Sequence, residues 1–251
     1  MRRRSILVAA AAAMLFSGVA YAQPEVIAKA LGDPGRPAAD KARDAERVPG
    51  PLLSWAGVKA GDKVGEYMPG GGYFTRVLSR VVGPAGKVYA YVPTEFVKVA
   101  PKYLADAKAM AADPAIAGNV VVSSDTNANF GAPEPLDVVW TFLNYHDLHG
   151  KFAPAGTASA FNTAVFKALK SGGTYVVVDH SALPSSGLKG AAEQHRIAKA
   201  AVIEEVSLAG FVLDGESKLL TNPNDPLTAS VFDPSIRGKT DQFVLKFRKP
   251  Q

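Results

Sequence analysis

The sequence predicts an α/β fold: a seven-stranded, mostly parallel sheet with an antiparallel last strand. Three observations predict it. From residue 63 onward, short apolar runs alternate with helix-length stretches, the pattern of parallel strands with helices on both faces. The first run, Val64-Gly65-Glu66-Tyr67, leads through Met68-Pro69 into Gly70-Gly71-Gly72 and then a helix-like stretch. Glycines at such a turn let a ligand approach the backbone, and the helix behind them offers unpaired N–H groups. That is the build of a nucleotide-type cofactor site at the first strand–helix crossing of an open sheet. Third, residues 218–240 are rich in Asn, Pro, Asp and Gly and hold no helix-sized segment. The final strand therefore returns by a loop and enters antiparallel.

The chain has 251 residues, 47% of them hydrophobic and 20% charged, which fits one globular domain with a substantial core. Its N-terminus reads as a cleavable signal over residues 1–22. Arg2-Arg3-Arg4 is a basic leader, residues 6–19 are apolar but too few to span a bilayer, and Ala20-Tyr21-Ala22 is a small-x-small cleavage site. The expectation is a periplasmic or secreted protein with no membrane contact after cleavage. Losing Arg2, Arg3 and Arg4 lowers the net charge from +5 to +2. No basic stripe remains to argue for nucleic acid. There is no cysteine, so an oxidising compartment brings no disulfide.

Residues 23–62 read as an N-terminal helical cap: one or two short helices, then Pro49-Gly50-Pro51 and a small helix through Trp55. Residues 63–251 form the α/β domain. Its strands are expected at 63–67, 87–92, 120–123, 136–143, 174–179, 211–217 and 241–248, and its helices at 73–82, 94–112, 153–169 and 188–209. Gly172-Gly173 is read as a helix stop that opens the next strand.

This order of elements resembles the class I S-adenosylmethionine-dependent methyltransferases. Their first motif, an acid followed by a glycine-rich turn, is matched by Glu66 and Gly70-Gly71-Gly72; a late Ala-Gly-Phe is matched by Ala209-Gly210-Phe211. The chain is more specifically similar to a group of exported methyltransferase-like proteins. That likeness rests on residues 65–75, 141–149, His195-Arg196-Ile197 and the tail at 231–241, and it spans nearly all of the chain beyond the signal. The resemblance implies a Rossmann-like methyltransferase sandwich and S-adenosylmethionine as cofactor. It implies cofactor contacts from Glu66, Met68, Gly70, Gly71, Gly72, Asp125 and Asn144. The methyl acceptor it leaves open; a small molecule is expected.

Individual residues carry competing readings. Glu66 either meets the cofactor's ammonium or orders the turn, and the first is preferred. Pro69 departs from the family turn by removing an N–H. Where the family holds ribose with a carboxylate, this chain has Val92, and Glu95 three residues on reads as a first-turn helix acid. A lost pair of charge-assisted hydrogen bonds weakens binding by roughly two orders of magnitude. Asp125 either meets the adenine amine or caps its own loop. After the fourth strand, Asn144, His146 and His149 stand at the sheet edge where open α/β sheets bind ligands; after the fifth, Asp179 and His180 reach the same edge. A helical turn would set His146 and His149 on one face. His195 is expected on the following helix. The histidines are either scattered or a catalytic group, with His146 the preferred general base, oriented by Asp147 or Asp179. Catalysis is assigned to His146, Asn144, Asp179 and His180. The spacing matches no metal motif, and no metal is expected. Arg237 and Lys239 either hold an anionic substrate or tie the long loop down; the second is preferred.

Three functions compete: an exported methyltransferase, a non-catalytic protein on a scaffold that has lost the cofactor, and a metal-assisted enzyme built on the histidines. The intact glycine turn favours the first.

Overall fold

The computed structural model describes residues 23–113, 116 and 118–251. The expected signal segment lies outside the described residues.

Four short helices open the fold: α1 (Glu25–Gly32), α2 (Ala38–Lys41), α3 (Asp44–Arg47) and α4 (Pro49–Ala56). Then follow β1 (Lys63–Tyr67), α5 (Tyr73–Val82), β2 (Lys87–Tyr91), α6 (Thr94–Val99), α7 (Lys102–Ala111), β3 (Val120–Ser123) and β4 (Leu136–Phe142). The second half holds α8 (Thr157–Ala168), β5 (Leu169–His180), α9 (Ala191–Gln194), α10 (Lys199–Leu208), β6 (Val212–Ser217) and β7 (Gln242–Arg248). The seven strands form one sheet in the order β3-β2-β1-β4-β5-β7-β6. β1 to β5 pair in parallel, while β7 runs antiparallel to both β5 and β6. The expected seven-stranded sheet with an antiparallel last strand is what the chain forms.

The pleat sorts the side chains. Val139, Tyr175, Val177 and Leu245 join one buried cluster with α8 and α10; Val138, Trp140, Val176, Val178 and Val244 join another with α1, α4 and α5. Successive residues of β4 and β5 thus serve opposite faces, as a period-two strand buried on both sides requires. The N-terminal cap is tied to α5 by charge. Arg76 pairs with Asp40 at 2.6 Å, Arg80 with Asp33 at 3.0 Å, and the Tyr73 hydroxyl donates to Asp44 at 2.6 Å.

Three expectations are corrected. The helix expected at 94–112 is two helices, because Pro101 cannot continue the first and instead precedes the second. The helix expected at 188–209 is also two, separated at His195, whose φ of 55° ends α9 in the left-handed region. Gly172-Gly173 does not stop a helix. α8 ends earlier, at Ala168, and both glycines lie within β5. A register shift in the β4–β5 pairing accommodates them, with Leu169 opposite Leu136 and Thr174 opposite Val138.

Candidate functional site

The carboxyl ends of β1, β4 and β5 open onto a crevice of about 550 Å³. The glycine turn forms one wall. Met68, Gly70 and Gly72 all have positive φ, at 50°, 55° and 78°, so the turn needs a left-handed residue at every second position. Met68 meets this need without being glycine, at roughly 1–2 kcal/mol of strain; apolar identity hid that requirement in the sequence. A Cβ on Gly70 or Gly71 would meet nothing within 4 Å, so both present bare backbone to the crevice. Gly72 faces inward, where a Cβ would stand 2.8 Å from the Met110 side chain. Arg76 clamps the turn from outside, donating to the Gly71 carbonyl at 2.8 Å while it holds Asp40.

Glu66 lies beneath this turn, 3% exposed, and does not reach the crevice wall. Burial pushes its carboxyl pKa up to about 7, against the opposing pull of Thr75 and Arg76. Its Oε2 has no hydrogen-bond partner among the described residues. Asn144, from the end of β4, braces the turn, donating to the carbonyls of Tyr67 at 2.8 Å and Met68 at 3.2 Å. Its own Oδ1 is buried without a partner among the described residues.

The end of β2 carries no acid on the crevice. Val92 is buried, and its N–H donates to the Ser123 carbonyl at 3.0 Å. The Glu95 carboxylate accepts the Asn127 N–H at 3.0 Å, and Asn127 in turn accepts the Tyr67 hydroxyl at 2.9 Å. Asp125 accepts from the Thr126 N–H at 2.7 Å and from Asn129 at 2.5 Å, which is the geometry of a loop cap. Neither acid lines the crevice. Among the aromatics that do, Phe96 packs edge-on against Tyr103 and Phe152, with centroids 4.7 and 5.4 Å away.

The opposite pole is polar. Asp179, fully buried at the end of β5, accepts the backbone N–H groups of His146 and His180, each at 2.7 Å. Its Oδ1 also lies 2.8 Å from His146 Nδ1. A carboxylate can only accept, so Nδ1 carries the proton and Nε2 of the neutral ring is an acceptor. That Nε2 faces His195 Nδ1 at 3.0 Å. Burial alone would lower the His146 pKa, but the Asp179 carboxylate outweighs it and raises it. Burial would likewise raise Asp179, and His146 reverses this, holding the carboxyl below its usual range. Asp147 is pushed up to about 6 by burial. His180 is pushed down to about 4 by burial and bonds Thr240 Oγ1 at 2.7 Å, so it stands as a neutral strut.

The structure brings together Asn144, His146, Asp179 and His180, as the sequence leads one to expect, and orients His146 through Asp179. It separates His149, which turns away to Glu205 at 3.1 Å. His195 is the residue that sequence reasoning undervalued. Its left-handed backbone swings the ring over the crevice, edge-on to Phe232 at 4.8 Å. Next to it, Arg196 is buried and donates to Asp225, Ala229 and Ser181. This pins the 218–240 loop, so the tying role expected of the tail falls to Arg196, while Arg237 and Lys239 are exposed.

This fold is that of the S-adenosylmethionine-dependent methyltransferases. A methyltransferase of that type from Aquifex aeolicus superposes with a TM-score of 0.59 at 18% identity, covering 85% of this chain and 98% of its own. The [4+2]-cyclase SpnF gives 0.57 at 14% identity, covering 87% and 85%. An O-methyltransferase from Thermotoga maritima gives 0.52 at 16% identity, covering 82% and 65%. No protein-family model matches the sequence, and no curated protein matches it.

Proposed function

We propose that the protein is an S-adenosylmethionine-dependent methyltransferase that acts, after export, on a small-molecule acceptor. One observation carries this reading. Bare backbone at Gly70 and Gly71 faces the same crevice that His146 and His195 enter from the other side. The residues present fit the cofactor at the turn, where Cβ-free positions leave a cradle and Asn144 Oδ1 lacks a partner among the described residues. Bound there, S-adenosylmethionine supplies an electrophilic methyl group on a sulfonium sulfur. Asn144 and Arg76 hold the turn in shape, and Phe96, Tyr103 and Phe152 offer faces for stacking where a ribose carboxylate is lacking. The acceptor loses its proton at the histidine pole, whose geometry Asp179 sets through His146. Much of the rate gain comes from holding the two reactants in line.

A crevice of about 550 Å³ is in the range of small-molecule sites. Export is supported by the basic leader, apolar run and small-x-small site at the N-terminus. Among the described residues no helix is long and apolar enough to cross a membrane.

Calorimetric titration with S-adenosylmethionine is expected to give saturable binding below millimolar cofactor. No heat at millimolar concentration sinks the reading. Val92 favours a second one, a scaffold that has lost the cofactor, and that null titration is its expected result. His146→Ala is expected to abolish methyl transfer to an active acceptor while leaving cofactor binding intact.

A further inference from the structure

The geometry points to a divalent transition-metal site at the histidine pole, formed by His146 Nε2, His195 Nδ1 and Asp147 Oδ1. These three atoms are separated by 3.0, 3.6 and 3.9 Å. Two ligands on a tetrahedral ion, each about 2.0–2.1 Å from it, stand roughly 3.3–3.4 Å apart. One edge of the observed triangle is a few tenths of an ångström shorter than that value and two are longer, so small side-chain shifts close it on an ion. A hydrogen bond between the two imidazoles accounts for only one edge. The Asp147 carboxylate, 3.6 Å from one ring and 3.9 Å from the other, is beyond hydrogen-bond reach of both. An ion between them satisfies all three donors at once.

The surroundings are those of a built site. His146 presents Nε2 because Asp179 takes its other ring nitrogen at 2.8 Å, the carboxylate–histidine arrangement that orients metal ligands. Asp179 is itself fixed by two backbone N–H groups. His195 reaches the triangle through its left-handed backbone, and Phe232 braces its ring. All three ligands line the crevice, so a fourth coordination position opens toward the glycine turn. Three protein ligands with one open position is the catalytic rather than the structural pattern. Two imidazoles and one carboxylate favour zinc or ferrous iron over magnesium or calcium. Under the methyltransferase reading, the open position is where an oxygen of the acceptor docks; the site itself does not depend on that reading. No sequence motif announces it, because a turn after β4 and a helix break 49 residues later supply the ligands.

The test uses the full chain purified without a histidine tag, stripped with chelator and titrated with Zn²⁺ and Co²⁺. The expected result is one equivalent of zinc and, with cobalt, the intense visible absorption of a tetrahedral site. His195→Asn keeps a residue that tolerates left-handed backbone and should weaken zinc binding about 100-fold or more with an unchanged melting temperature. Asp179→Asn should cost about 10–100-fold, and His149→Gln nothing. Substoichiometric zinc with no cobalt spectrum overturns the site, as does full binding by folded His195→Asn. Cofactor titration of the stripped protein is scored separately. Cofactor heat without metal binding overturns the metal site alone, and metal binding without cofactor heat overturns the methyltransferase reading alone.

Discussion

Asn144 at the end of β4 hydrogen-bonds the Tyr67 carbonyl at the end of β1, 2.8 Å away, so the histidine pole and the glycine turn share one brace. The same Nδ2 reaches Met68. Asn144→Ala strands two carbonyls at a buried place, which costs about 1–3 kcal/mol. Chemical denaturation should show that loss, and cofactor affinity should fall with it. A variant of wild-type stability means that the turn holds its own shape.

Gly71→Ala and Gly72→Ala separate binding from folding. Gly71 has room for a Cβ and no left-handed backbone, so stability should stay within about 0.5 kcal/mol while the methyl group enters the proposed cofactor cradle. At Gly72, φ of 78° and the contact with Met110 predict a loss of about 1–3 kcal/mol. Equal melting temperatures for the two variants would contradict this division.

Glu66 predicts an unusual pH dependence. Burial raises its carboxyl pKa from an ordinary 4.5 to about 7 in the folded protein. The folded pKa is raised, so the protonated form is favoured on folding. Stability from this group is full below about pH 4.5, declines as pH rises toward 7 and is flat above. Glu66→Gln removes the buried charge, so its stability relative to wild type should improve by up to about 3 kcal/mol between pH 4.5 and pH 8. Thermal melts of both proteins across that range check the sign. A constant difference means that Glu66 does not change protonation there.

Arg196 and Asp225 form a side-chain pair with no solvent exposure at 2.9 Å, and Asp225 also accepts the N–H groups of Leu227 and Asp241. Arg196→Met leaves that carboxylate buried and unpaired, at about 3–5 kcal/mol. The 218–240 loop should become protease-sensitive first. The double variant with Asp225→Asn should recover part of the loss, because no uncompensated charge remains.

Much of the fold was legible because its signals are local. β1, α5 and β3 lie where period and glycine placement put them. Interruptions were harder. Pro101 starts a helix as readily as it ends one, and nothing in the type of residue 195 announces left-handed backbone. Asn144, His146, Asp179 and His180 could be assigned to one sheet edge, since strand ends in parallel sheets share an edge. Their pairing could not be read, because Asp179 meets His146 across 33 residues of chain, and His146 meets His195 across 49 residues and a helix break. Asp125 and Glu95 show the converse. Acids at suggestive positions were taken up by loop N–H groups that only the fold brings near.

The last strand, β7, sits between β5 and β6. A ribosome delivers β6 some 25 residues before the strand it must lie against, so β5 and β6 wait with open edges until Gln242–Arg248 emerges. Asp179 and His180 belong to β5 and pair with Phe243 and Gln242. The histidine pole is therefore among the last parts of the molecule to be set, and a nascent chain carries its scaffold well before its chemistry.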